Sequence, residues 1–62
     1  MSREQFRRLR RGQRLQERRG RIWTVHVPPF GQEGLEQVIL RAGDLSRQLN
    51  ERFADDYMLL PG

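Results

Sequence analysis

The clearest alternation of apolar and polar positions lies in the segment GRIWTVHVPPF, residues 20–30. Side chains along a strand point alternately to opposite faces, so Trp23, Val25 and Val27 share one face. The other face carries the three residues between and beside them: Ile22, Thr24 and His26. The bulkier face predicts that Trp23 lies in the core and is not an exposed platform for base stacking.

Turn signals flank this strand on both sides. The prolines at residues 28–29 cannot donate to a ladder of hydrogen bonds, so we expect the strand to end there. The segment QRLQERRG, residues 13–20, predicts an earlier strand and a tight hairpin at its end. Gly20 is expected to supply the positive φ angle that such a hairpin needs.

The second half of the chain contains a further strand, and the period then changes. The segment LEQVILRAG, residues 35–43, is rich in β-branched and apolar residues and predicts a third strand. Three apolar residues then recur at helical spacing: Leu45, Leu49 and Phe53. This stripe predicts a helix over residues 44–54, capped by Asp44. The apolar run YMLL near the C-terminus is expected to form a short closing strand.

The N-terminal segment has the pattern of a short amphipathic helix. Ser2 followed by Gln5 fits a capping box, and residues 3–11 contain good helix formers. Phe6 and Leu9 fall on one side, through which the helix would dock, and arginines cover the rest. The alternative is a frayed basic tail.

These elements predict a mainly β or α+β fold, with a basic N-terminal arm or helix at residues 1–12 and one small β-rich domain at residues 13–62. The sequence features GRIWTV, VILR and LNERFADDYMLL, entered through Gly12-Gln13, resemble the small SH3-like (KOW-like) barrel proteins of phages and prophages. Most of those proteins have unknown functions. The resemblance covers roughly residues 12–60 and implies an SH3-like barrel of about four short strands. The proline pair and the helical stretch at residues 44–54 depart from that pattern.

Charge divides the chain unequally. All 12 basic residues are arginines, and nine of them lie in the first 21 residues beside only two glutamates. A GC-rich genome would explain the lack of lysine, but it does not explain the clustering. Because guanidinium groups bind phosphate bidentately, the cluster predicts weakly sequence-selective binding of DNA or RNA. We expect the contacts from the N-terminal helix and the hairpin, as one continuous surface: Arg3, Arg7, Arg8, Arg10, Arg11, Arg18, Arg19 and Arg21.

Catalytic chemistry finds little support in the sequence. The chain has no cysteine and a single histidine, which excludes thiolate zinc sites and histidine-rich metal sites. Thr24 and His26 are interpreted as an ordinary strand face, and Glu51 with Asp55 and Asp56 as a solvated helix end. We therefore predict a protein that is not an enzyme and uses no cofactor or metal.

A protein-binding module is the alternative function. Such a host-factor inhibitor, adaptor or virion component would dock through Phe30, the 44–54 helix and the C-terminal apolar tail. A core this small, without disulfides or metal, also suggests a homodimer or a partner. No apolar run approaches the roughly 20 residues that span a bilayer, so a cytoplasmic location is expected.

Overall fold

In the computed structural model, which describes residues 1–61, five strands form one antiparallel sheet. The strands are β1 (Arg14–Glu17), β2 (Ile22–Phe30), β3 (Gln37–Ala42), β4 (Leu45–Asn50) and β5 (Tyr57–Leu59). A short helix, α1 (Arg3–Arg7), precedes them, and a 3₁₀ helix (Glu51–Asp56) lies between β4 and β5. The order across the sheet is β4-β3-β2-β1-β5. The prediction of a mainly β fold is confirmed.

The sheet curls so that its two edge strands approach each other. In a flat sheet of this order, β4 and β5 would lie four strand spacings, or about 19 Å, apart. Instead, Arg47 of β4 donates a hydrogen bond of 2.7 Å to the Tyr57 hydroxyl of β5. The fold is thus barrel-like, as the sequence predicts, although the sheet has five strands and not about four.

The core lies on the inner face of this curled sheet. Leu15 is opposite Trp23 across β1 and β2, and Val25 is opposite Leu40 across β2 and β3. Trp23 is only 2% exposed, which confirms its interpretation as a core residue. Among the described residues, the buried apolar side chains come from both helical segments, the turn after α1 and all five strands: Phe6, Leu9, Leu15, Trp23, Val25, Val38, Leu40, Leu49, Ala54 and Tyr57.

The N-terminal helix forms with the predicted capping box but is shorter than expected. The Gln5 N–H donates to the Ser2 hydroxyl at 3.1 Å, and the Ser2 N–H donates to the Gln5 side chain at 2.9 Å. The helix ends at Arg7, because the next residues form tighter turns of the i to i+3 type. Phe6 is fully buried, so α1 packs into the same core as the strands. No helix in the described part of the chain is long and apolar enough to cross a membrane.

The β1–β2 hairpin lies where the sequence predicts it, but its backbone differs in one respect. Arg19, and not Gly20, adopts the positive φ angle, at 62°. The Gly20 N–H donates to the Glu17 carbonyl at 2.9 Å, which makes Arg19 the third residue of a four-residue turn. The turn requires its left-handed residue at that position, one residue earlier than the glycine.

A β-bulge changes the alternation along β2. Val25 is opposite Leu40, but Val27 is opposite Ile39, so two residues of β2 match one residue of β3. The extra residue, His26, shifts Val27 to the side of Ile39 on the outer face of the sheet. Val27 is consequently half-buried and does not join the core as predicted.

β2 continues through its two prolines, contrary to the expectation that they end it. The strand extends to Phe30, which is opposite Gln37 of β3 after a second irregularity. β1 pairs with β2 at residues 22–24, so in the described part of the chain β3 is the one strand beside the prolines at residues 28–29. Proline is tolerated at such an edge because one side of the backbone needs no hydrogen bond.

The helix predicted over residues 44–54 is wrong. β4 occupies its first half and the 3₁₀ helix its second half. Gly43, with a φ angle of 60°, and Asp44 form a two-residue loop, after which six residues of β4 pair with β3. Of the three residues in the apolar stripe, Leu49 alone is buried. Pairing with β3, and not the helical spacing of apolar residues, therefore determines the conformation of this segment.

Candidate nucleic-acid interface

Arg7 contacts a buried carboxylate within the protein. Its Nε donates to Glu51 at 3.2 Å, and the Glu51 side chain is completely buried. The other oxygen of Glu51 accepts the Glu36 N–H at 3.2 Å, and the Glu36 carboxylate lies 3.8 Å from Arg7. This predicted nucleic-acid-binding residue thus ties α1 to the loop before β3 and to the 3₁₀ helix.

The other two predicted arginines of this segment, Arg3 in α1 and Arg8 at its C-terminal cap, are exposed. Arg8 caps the helix and pairs with Glu4 at 3.1 Å, an exposed contact between residues one turn apart. Arg3 forms no ion pair with any residue in the described range. A pair as exposed as that of Arg8 stabilises a helix by only about 0.3–0.5 kcal/mol, so Arg8 exchanges it readily for an external anion.

A second internal cluster surrounds Trp23 and was not predicted from the sequence. Arg47 donates to Glu17 at 2.8 Å and to the Tyr57 hydroxyl, and its guanidinium lies 4.5 Å from the centre of the Trp23 ring. The Trp23 indole N–H donates to the same glutamate at 3.0 Å. The hydrogen bond from Arg47, followed by that from Trp23, holds the pKa of Glu17 below its ordinary value. Arg21 also lies near this ring, at 5.9 Å.

The predicted arginines at the hairpin tip lie beside acidic residues. Arg18 and Arg19 are exposed and line a concave surface with a volume of about 530 Å³. Asp55 and Asp56 of the 3₁₀ helix line the same surface. Their negative charges reduce the positive potential of the tip.

Arg10 and Arg11 lie at the opposite end of β1. They belong to a turn closed by the Gln13 N–H, which donates to the Arg10 carbonyl at 3.1 Å. The next turn residue, Gly12, donates its N–H to the Val25 carbonyl at 2.9 Å. At about 3.3 Å per residue, the four residues of β1 separate this turn from the hairpin tip by roughly 13 Å. The structure therefore places Arg10 and Arg11 at one end of β1 and Arg18 and Arg19 at the other.

Two further arginines, absent from the set predicted from the sequence, lie on the outer face of the sheet near the start of β1. The register places four polar residues in line across four strands, here named the outer row: Arg14, Thr24, Arg41 and Ser46. All four are exposed. Arg14 precedes the buried Leu15, and Arg41 follows the buried Leu40. Strand alternation is therefore sufficient to predict that both arginines lie on the outer face.

The remaining predicted contact, Phe30, lies at the end of β2 and is 39% exposed. Among residues 1–61, no group of three or more histidine, cysteine or acidic side chains is arranged to hold a metal ion. Glu51, interpreted from the sequence as part of a solvated helix end, is instead buried and pairs with Arg7.

Comparisons with family models, with curated proteins and with solved structures found no match to this chain.

Proposed function

We propose that this chain is a small phage-type protein without catalytic activity that binds nucleic acid through exposed arginines, with weak sequence selectivity. One observation carries the proposal. Within the described residues, the ion pairs involve Arg7, Arg8 and Arg47, whereas the other six predicted arginines are exposed and unpaired. No ion pair within the described residues neutralises these six charges, although Asp55 and Asp56 reduce the potential around Arg18 and Arg19, so the arginines attract phosphate.

Weak sequence selectivity is expected because the described fold has no element that could contact base edges in a groove. Sequence is read when side chains reach base edges, usually from a helix in the major groove. The one α-helix, α1, has five residues and is fixed to the core by Phe6. Phosphate contacts position a protein on nucleic acid without specifying a sequence.

Docking to a protein is the second proposal, and the exposed Phe30 favours it. The other elements expected to take part have changed, because the 44–54 helix is a strand followed by a 3₁₀ helix. Tyr57 of the apolar tail is buried. In the regions expected to dock, exposed apolar side chains then remain at Phe30, Leu45, Phe53 and Met58. They are scattered over different elements, which makes this role the weaker of the two.

The test is a titration of the protein with labelled random-sequence oligonucleotides at several salt concentrations. We expect the logarithm of the binding constant to fall linearly with the logarithm of the salt concentration. The slope should be about −0.9 per duplex phosphate contact. The triple variant Arg18→Gln, Arg19→Gln, Arg21→Gln is expected to fold normally and to bind more weakly. If the wild-type protein does not bind at low salt, the proposed function is wrong and docking to a protein takes its place.

A further inference from the structure

Within residues 1–61, no strand places a carboxylate side chain on the outer face of the sheet. Of the eight acidic residues, only Glu17 lies in a strand, and it faces inward opposite Tyr57. The other seven lie in α1, in loops and in the 3₁₀ helix. Neighbouring strands commonly place opposite charges beside each other, which stabilises the sheet. Here the charged members of the outer row are both arginines.

The spacing of the outer row concentrates this positive charge. Arg14 and Arg41 lie two strands apart with Thr24 between them, so their backbones are about 10 Å apart. Arg10 and Arg11 lie in the turn that leads directly into β1, and both are exposed. Four arginines thus lie around the start of β1 without an ion pair in the described residues, and the acidic residue nearest to the row in the β3–β4 hairpin is Asp44, in the loop after Ala42.

We propose that the outer row, extended by Arg10 and Arg11, is the surface that contacts the phosphate backbone of duplex nucleic acid. This inference rests on the proposed function, and it moves the main contact from the hairpin tip to the outer face. The guanidinium groups bind phosphate oxygens bidentately, and the hydroxyl groups of Thr24 and Ser46 donate to the same backbone.

The chemistry of the outer row favours a duplex over a single strand. Single strands are held by stacking their bases on aromatic side chains, together with basic groups along the backbone. The outer row has no aromatic member, and the nearby Trp23 is buried beneath Arg47. Phe30 lies six residues beyond Thr24 on β2, about 20 Å away. A surface of guanidinium and hydroxyl groups can bind the phosphate backbone of a duplex, whose bases are paired and need no stacking partner.

The experiment compares two double variants that remove the same charge. The first is Arg14→Gln with Arg41→Gln on the outer row, and the matched control is Arg18→Gln with Arg19→Gln at the hairpin tip. Each is titrated with a random-sequence DNA duplex and with one of its single strands, at several salt concentrations. Thermal melting checks that both variants remain folded.

We expect the outer-row variant to bind the duplex at least about tenfold more weakly at 0.1 M salt. Its salt slope should become shallower by about 1.8, because two phosphate contacts are lost. The control is expected to lose less of both, because carboxylates already oppose phosphate at the tip. A third variant, Thr24→Ala with Ser46→Ala, keeps every charge. It is expected to weaken binding about threefold without changing the slope, because a hydroxyl contact releases no counterion.

The outcomes separate the two proposals. Absence of binding by the wild-type protein rejects the proposed function itself. If the wild-type protein binds and the two charge variants are equally impaired, or the control is worse, nucleic-acid binding stands and the outer row is not its surface. Equal or tighter binding of the single strand likewise overturns the assignment to a duplex.

Discussion

Arg41 and Arg47 lie on the same β-hairpin but on opposite faces of the sheet, and their surroundings differ completely. Arg47, on the inner face, donates to a carboxylate and to a tyrosine hydroxyl and covers the Trp23 ring. Arg41, on the outer face, is exposed between the hydroxyl side chains of Thr24 and Ser46. One arginine stabilises the fold, and the other is available for an external anion.

This difference shows that the number of arginines is a poor measure of a basic surface. Arg7 belongs with Arg47, because its charge is compensated by a buried glutamate. Arg14 belongs with Arg41, although it lies outside the set predicted from clustering. What distinguishes the two groups is the face of the sheet or helix on which each residue lies, together with the carboxylates that the fold places there.

The largest expected effect tests the division between the two faces. Trp23→Ala removes the buried ring under Arg47 and should lower the free energy of unfolding by about 3–5 kcal/mol, the range for emptying a large core site. Ile22→Ala changes the adjacent residue, which is 47% exposed on the outer face, and should cost less than about 1 kcal/mol. Chemical denaturation measures both. Similar losses for the two variants would contradict the division.

A smaller effect should separate two neighbouring arginines in sequence. Arg7→Gln leaves the buried Glu51 carboxylate without its cation. Breaking a fully buried pair costs about 3–5 kcal/mol, and the 45% exposure of Arg7 reduces the expected loss to about 1–2 kcal/mol. Arg8→Gln removes only the exposed pair with Glu4 and should cost under about 0.5 kcal/mol. Chemical denaturation measures both variants. Equal shifts of their denaturation midpoints would show that Arg7 does not stabilise the buried Glu51 carboxylate.

Local patterns in the sequence predict much of the fold. The alternation around Trp23 and Val25, the capping box at Ser2, and the apolar segment that includes Val38 all correspond to observed elements. Each depends on residues close together in the chain. The stripe of Leu45, Leu49 and Phe53 misleads, because pairing with β3 determines the conformation of that segment.

The candidate site is harder to predict, because its properties depend on contacts between distant residues. The bond between Arg7 and Glu51 joins residues 44 positions apart, and that between Arg47 and Glu17 joins residues 30 positions apart. No spacing rule links such pairs. The outer row depends on the register of four strands, although the outward positions of Arg14 and Arg41 follow from alternation once those strands are known.

The smallest expected effect is a difference between Arg41 and Arg47 variants in the pH dependence of stability. Because Arg47 and Trp23 lower the pKa of Glu17 in the folded protein, the ionised carboxylate stabilises the fold at neutral pH. That stabilisation is present above the pKa of the unfolded chain and is lost as the pH falls below about 4. Arg47→Gln raises the pKa of Glu17 towards its ordinary value, so its melting temperature should fall less steeply with acid than that of the wild-type protein. Arg41→Gln removes the same charge from the outer face and should keep the wild-type slope. Melting curves between neutral and acidic pH measure both variants, and parallel changes would mean that net charge, and not the inner cluster, controls the acid response.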